Sequence, residues 1–532
     1  MPIGQEKQPE QMNLIDINLN PLDMKSRLNA VLEQSIRDHW NLPALSNYQG
    51  ETFTYGDVAR QIAKYHQMWR EAGYQPGFRF AICSRNSAQW SIALLAAFTY
   101  GAVAVPLLHE FTPDMVERLV AHSESKFVLM ANDLVTLSDC PDIGPDDIHY
   151  MRHQPDDLLM INYTSGTTSA PKGVMIPERA MWSNMAFAEQ VLPNLHAGMN
   201  VVSLLPTAHL YGMAFELMYE FCVGIHVTFI TGALAAPVIL KAFKEIKPDL
   251  IVVVPMLIEK IVRKGILGQY NGPKIKMLRK VPMLRNTINR KFRDGLMAAL
   301  GGQCYEVIIG GAALNTEVEE VLHEIKFPYT VGYGMTECAP IIGYADWKDF
   351  VRSSCGMAAP RMEVRIDSPD PHNEPGEILV RGMNVMLGYY KNEEATRQVL
   401  DSDGWLHTGD MGVIDSVGNI FIRGRIKNML LSGSGQNIYP EEIESEVCNL
   451  PYVLECVVVQ REHRLIALTY PDRDAAIADG LMDDAAIMQH LENHKKELNR
   501  HFPVYAQVNA FELMENEFEK TPKKSIKRFL YK

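Results

Sequence analysis

The feature that most limits how this chain can fold is a set of short aliphatic and β-branched runs, each bounded by Pro or Gly. Residues 201–205, 250–254 and 307–309 are examples. Strands with one wet face alternate polar and apolar side chains, and these runs do not, so strands buried on both faces are expected. Longer stretches with helical spacing lie between them. The pattern predicts an α/β fold with parallel-type sheets covered by helices. Thr52 to Gly73 reads as a capped amphipathic helix ending at glycine. Trp90 to Leu108 is the most membrane-like segment, but Gly101 and Pro106 interrupt it. It reads as a buried helix, a glycine stop at Gly101 and a buried strand.

With 532 residues the chain has room for more than one core. The texture changes from about Glu374, where glycines, short strands and turns dominate through Gly424. The expected division is a large N-terminal domain, residues 1–424, with a β-rich subdomain at about 345–424. A small α+β domain follows over residues 425–532, with a helix near 441–450, a strand at 453–460 and a long helix after Asp483.

Acidic residues outnumber basic ones, 64 to 51, giving a formal net charge of -13. Such a surface repels phosphate backbones, which argues against bulk nucleic-acid binding. None of the eight cysteines forms a C-x-x-C pair, so free thiols in a reducing compartment are expected. The polar stretch Met1 to Asn13 lacks the features of a secretory signal, and a cytoplasmic location is expected.

The most informative segment runs Tyr163-Thr-Ser-Gly-Thr-Thr-Ser-Ala-Pro-Lys-Gly-Val174. Glycine lets backbone N–H groups approach a phosphate, hydroxyls donate further hydrogen bonds, and Lys172 adds a point charge. It is not a Walker A loop, because Pro171 and Gly173 stand where that motif needs glycine and Ser/Thr. On chemistry alone it also reads as a surface loop. The segment resembles the signature loop of the adenylate-forming superfamily of acyl-CoA synthetases, aryl-CoA ligases, luciferases and peptide-synthetase adenylation domains. It departs at Ser169, where that family usually has glycine. The resemblance implies nucleotide contacts from Thr164, Ser165, Gly166, Thr167 and Thr168, with Lys172 neutralising phosphate charge.

Further motifs follow in the family's order. Gly332-Tyr-Gly-Met-Thr-Glu337 resembles its adenine and magnesium motif, implying Tyr333 on the purine, Thr336 on the α-phosphate and Glu337 as a magnesium ligand. Gly310, Gly311 and Ala312 match a strand-end turn beside adenine and the acyl group. Asp410 matches the aspartate that accepts both ribose hydroxyls, and Arg425 a second ribose contact. His209 matches the histidine between the ATP and acyl sites. No acidic residue follows it within residues 210–215, which argues against an amino-acid substrate.

The match spans about Thr52 to Arg528, nearly the whole chain. It implies ATP and Mg2+ as cofactors and coenzyme A as co-substrate of a ligase acting on a carboxylic acid, a fatty acid first, with aryl- or medium-chain-CoA ligases and carrier-protein ligases as alternatives. A non-catalytic nucleotide-binding relative is the contrasting class. The C-terminal domain would be a mobile lid hinged at Lys427, with Gly433 and Gly435 lining the thioester-state tunnel. The family's tail pattern ends in Gly-Lys-[Ile/Leu]-x-Arg. Aligned on Ile526 and Arg528, the lysine position holds Ser525. Lys524 is assigned the catalytic role, with Lys523 and Lys527 as alternatives. The basic tail also reads as a solvated segment that touches anionic membranes.

Overall fold

The apolar runs pair into two sheets that carry most of the large N-terminal core. The computed structural model describes residues 27–164, 171–232, 234–432, 436–462, 464–521 and 526–531. One sheet has seven strands in the order Tyr329–Val331, Glu306–Ile309, Leu250–Val253, Asn200–Ser203, His226–Phe229, Pro43–Asn47 and Thr52–Thr54. All neighbours in it are parallel except the last pair. The other has six strands, Gly388–Tyr389, Gly173–Pro177, Leu158–Tyr163, Val103–Leu107, Arg79–Cys83 and Val128–Met130. Parallel at one end, it turns antiparallel at Leu158–Tyr163. The all-buried pattern of Leu250–Val253 and Glu306–Ile309 is what burial on both faces requires.

The membrane-like segment is the helix Ala88–Tyr100, buried along its whole length, then Gly101 at φ 87° and the strand Val103–Leu107. Glycine fits there because a side chain at that φ would be strained, and because a Cβ would meet Met151 and Pro76. Among the described residues no helix is long and apolar enough to cross a membrane. The helix expected over 52–73 is shorter. Thr52–Thr54 forms an edge strand, and the helix is Tyr55–Glu71, opened by a capping box between Thr54 and Asp57. The hydroxyl and backbone demands of Thr54 select the cap over a helical position.

The β-rich stretch forms a four-stranded antiparallel sheet, Met362–Asp367, Gly376–Gly382, Leu406–Ile414 and Ile420–Arg425. Its Gly388–Tyr389 segment leaves to join Gly173–Pro177 in the six-stranded sheet. Buried side chains of the first core end at Ile420, and those of a second core start at Ile438. That second core lies under the helices Pro440–Val447 and Asp484–Leu498 and the strands Val453–Arg461, Arg464–Pro471 and Val508–Leu513. The expected helix at 441–450 is thus Pro440–Val447, and Arg464–Pro471 is a strand that the sequence reading left out. Asn315 donates to Asn449, and Arg263 to the Cys448 carbonyl, between the two cores.

Candidate active site

Open α/β sheets bind ligands beyond the carboxyl ends of their strands. The motif residues gather there. Gly310 follows Glu306–Ile309, and Gly332 follows the adjacent parallel strand, with its N–H donated to the Ile309 carbonyl at 2.8 Å. His209 lies past Asn200–Ser203 and opens the helix Leu210–Met213. Tyr163 ends its strand in the other sheet, and Asn162 beside it donates to the Ala208 carbonyl at 2.8 Å, which ties the two sheet ends together.

The strands Leu158–Tyr163 and Gly173–Pro177 pair with Tyr163 opposite Gly173, and the Thr164 N–H bonds the Lys172 carbonyl at 3.0 Å. Thr164 and Lys172 therefore hold the two ends of the expected phosphate loop. Ser165, Gly166, Thr167 and Thr168 lie outside the described residues.

The Lys172 ammonium sits 4.6 Å from the centre of the Tyr389 ring. The hydroxyl of that same tyrosine donates to Glu337 Oε1 at 2.8 Å. Tyr389 pairs with Val174 in the sheet, and the Met386 N–H bonds the Glu337 carbonyl. One aromatic side chain thus joins the phosphate-loop lysine to the expected magnesium ligand. Burial and the Glu337 charge keep its phenol far above its ordinary value. The sequence reading passed over Tyr389 as strand texture. The partners of its hydroxyl and ring lie 52 or more residues away in the chain, so no local pattern exposes it.

Among the described residues no cluster of three His, Cys, Asp or Glu side chains could hold a metal. A single carboxylate fits magnesium, which keeps its waters and substrate phosphates and takes few protein oxygens. Glu337 is 9% exposed and oriented by Tyr389.

Four residues before Glu337, the Tyr333 hydroxyl donates to Asp410 Oδ2 at 2.7 Å. Arg425 Nε reaches the other oxygen of Asp410 at 2.9 Å, the two residues being directly opposite across the strand pair. Asp410 is 3% exposed, and its desolvation raises its carboxyl above the ordinary value against the pull of Arg425 and Tyr333. Each oxygen keeps a lone pair for a further donor.

Lys427 lies in the turn Ile426–Asn428 directly after Arg425, and Asn428 donates to Glu441 at 2.6 Å. Gly433 and Gly435 are outside the described residues, as are Lys523, Lys524 and Ser525. Lys527 pairs with Glu519 at 3.3 Å. Arg528, the end of the tail motif, bonds Glu444 at 2.6 Å inside the C-terminal core. It anchors the tail.

Gly310 has a packing reason for being glycine. A Cβ there would lie 2.9 Å from the ring of Tyr211, which is held by the Ile308 carbonyl and packs against Phe215. Gly311 stands at φ 88°, before Ala312. Glu216, just past the stretch that follows His209, is fully buried. The backbone N–H groups of Leu204 and Leu205 and the Ser203 hydroxyl occupy both its oxygens. A second crevice of about 830 Å³, which sequence reasoning missed, opens at the ends of Arg79–Cys83 and Val103–Leu107, beside Arg85, His109 and Phe111.

Relatives share this framework. A 4-coumarate–CoA ligase of Humulus lupulus is 29% identical over 473 residues, 80% of each chain. The o-succinylbenzoate coenzyme A synthetase of Bacillus subtilis, solved with AMP, superposes with a TM-score of 0.73 at 20% identity, covering 94% of this chain and 98% of its own. The anthranilate CoA ligase AuaEII, solved with anthranoyl-AMP, gives 0.76 at 20% identity over 95% and 96%. The AMP-binding enzyme profile matches residues 32–390, most of the chain, and with it the protein belongs to the AMP-binding enzyme family.

Proposed function

We propose that the chain activates a hydrophobic carboxylic acid without an ammonium group, forming acyl-AMP and then acyl-CoA. The observation that carries this reading is Glu216. It is the first acid after His209, and it is spent on buried N–H groups, so it offers nothing to an ammonium. The neighbouring side chains of Tyr211 and Phe215 are aromatic.

A carboxylate is a poor electrophile, and ATP converts it to a mixed anhydride with loss of pyrophosphate. Coenzyme A then attacks the acyl carbon through its thiol and AMP leaves. In this reading Lys172 and the phosphate loop neutralise charge on the transferring phosphate, and Asp410 with Arg425 holds the ribose. Magnesium on Glu337 would supply charge neutralisation between the phosphates. Thr336 contacts the α-phosphate, Tyr333 and the Gly310–Ala312 turn flank adenine, and His209 separates ATP from the acid. The 425–532 unit acts as a lid hinged at Lys427, with a tail lysine, Lys524 first, completing adenylation. The 830 Å³ crevice has the size of a co-substrate pocket and suits part of coenzyme A.

A fatty acid is the first reading within hydrophobic acids, since the hinge Arg425-Ile-Lys427 and the tail Ile526-Lys-Arg528 resemble fatty acyl members. An aryl acid is the second, favoured by relatives named for coumarate, anthranilate and o-succinylbenzoate. Competition between palmitate and 4-coumarate, with acyl-CoA products resolved by mass spectrometry, decides between them. An amino acid consumed in preference to both would overturn the proposal.

A further inference from the structure

Residues 255–300 run against the charge of the chain as a whole. They carry eleven Lys and Arg against two acids, Glu259 and Asp294, in a protein of formal net charge -13. The strip includes the helices Pro273–Leu278 and Pro282–Ala299, and the second buries only Leu296. Its root is fixed. The Tyr270 hydroxyl donates to Asn289 and Glu324, Arg279 pairs with Glu324 and lies over the Tyr270 ring, and Phe292 packs edge-on against that ring.

Its tip is different. Met277, Leu278, Val281, Met283 and Leu284, around the turn between the two helices, are all exposed, Met283 by 84% and Met277 by 67%. Lys274, Lys276, Lys280 and Arg285 are interleaved with them. Clustered apolar side chains at this exposure mark an interaction site rather than ordinary surface. A protein partner would need a face it can seal. Side chains that project this far, set among cations, instead match a surface whose phosphates lie outermost with hydrocarbon beneath.

The basic tail is the competing place for such contact. There Lys520 already meets Glu455 and Glu517, Lys527 meets Glu519 and Arg528 meets Glu444. Its described cations are thus neutralised within the C-terminal unit.

We propose that the tip at residues 274–285 docks the protein on an anionic bilayer, its Met and Leu side chains entering the headgroup boundary and its Lys and Arg pairing with lipid phosphates. This goes beyond the choice of acid and does not depend on it.

The test is vesicle co-sedimentation of the full chain with phosphatidylcholine alone and with phosphatidylcholine mixed with phosphatidylglycerol. The expected result is binding only to the mixed vesicles, weakening as salt rises. Each near-surface cation contributes roughly a fivefold factor, so the triple variant K276Q/K280Q/R285Q should bind about a hundredfold more weakly. M283S/L284S, which leaves the charge unchanged, should also lose binding, by about tenfold or more. Both variants should keep the wild-type melting temperature and the wild-type rate on a soluble acid. The proposal is overturned if the wild type binds neither vesicle at low salt, as expected of a tip that serves an acidic protein. It is equally overturned if K527Q abolishes binding while the tip variants retain it.

Discussion

Replacing Tyr389 by phenylalanine removes one hydroxyl and leaves the ring in place, so it separates the two contacts this side chain makes. The lost bond is a phenol donating to a carboxylate at 2.8 Å, on a Glu337 that is 9% exposed and poorly placed for water to substitute. Hydrogen bonds to charged groups contribute about 1.5–3 kcal/mol, a factor of roughly 10 to 150 if all of it appears in the binding of metal and nucleotide. Tyr389→Phe should therefore lower kcat/KM for ATP in ATP–pyrophosphate exchange at least tenfold and raise the magnesium concentration needed for half-maximal rate. Lys172 keeps its ring contact in that variant. Tyr389→Leu removes it as well, and a half-exposed cation–π contact of about 0.5–1 kcal/mol adds a further two- to fivefold loss. Melting temperatures measured alongside separate these effects from unfolding. A Tyr389→Phe protein with unchanged magnesium dependence would refute the positioning of Glu337 by this phenol. A Tyr389→Leu protein no worse than Tyr389→Phe would refute the role given to the ring.

Other consequences are open to measurement. Arg528→Ala strands Glu444, whose side chain is 12% exposed, and should cost about 3 kcal/mol in denaturant unfolding of the C-terminal unit, while Arg528→Met with Glu444→Met recovers most of it. Glu220 is fully buried, with no hydrogen-bond partner for either oxygen among the described residues, and burial pushes its carboxyl up to about 8 from the ordinary 4.5. The folded chain thus holds a proton that the unfolded chain has lost between those values, and this group's contribution makes stability fall as pH rises from about 4.5 to 8. Glu220→Gln should flatten that slope and raise the melting temperature at pH 8, and an unchanged slope would count against the buried charge. Gly310→Ala drives a methyl to 2.9 Å from the ring of Tyr211, which is held by its bond to the Ile308 carbonyl and its packing against Phe215. It should cost about 1–3 kcal/mol and raise KM for the acid, with Tyr211→Leu restoring both.

The sequence exposed what is local. The stop at Gly101 between a buried helix and a buried strand was legible because one glycine at φ 87° settles it. The boundary at Thr54 was missed by three residues because an edge strand and a helix cap use the same small hydroxyl residues. The motif order brought Lys172, Glu337, Asp410 and Arg425 into view one at a time. Their connection was hidden, because Tyr389 and Tyr333 make it across sheets. The end of the tail read as a motif to align on, whereas the partner of Arg528 is 84 residues earlier and its role is to hold the domain together.

The bond between Asp410 and Arg425 spans the last position of the strand pair before the chain leaves for the C-terminal unit. A nucleotide that presents its ribose to Asp410 competes or cooperates with Arg425 for one of those oxygens and with Tyr333 for the other. Any movement of the C-terminal unit that draws Arg425 away must then alter nucleotide affinity. By thermodynamic reciprocity the nucleotide must bias that movement by the same factor. In the proposed mechanism, two residues facing each other across a strand pair would thus set an exchange rate between what is bound and where the rest of the molecule stands.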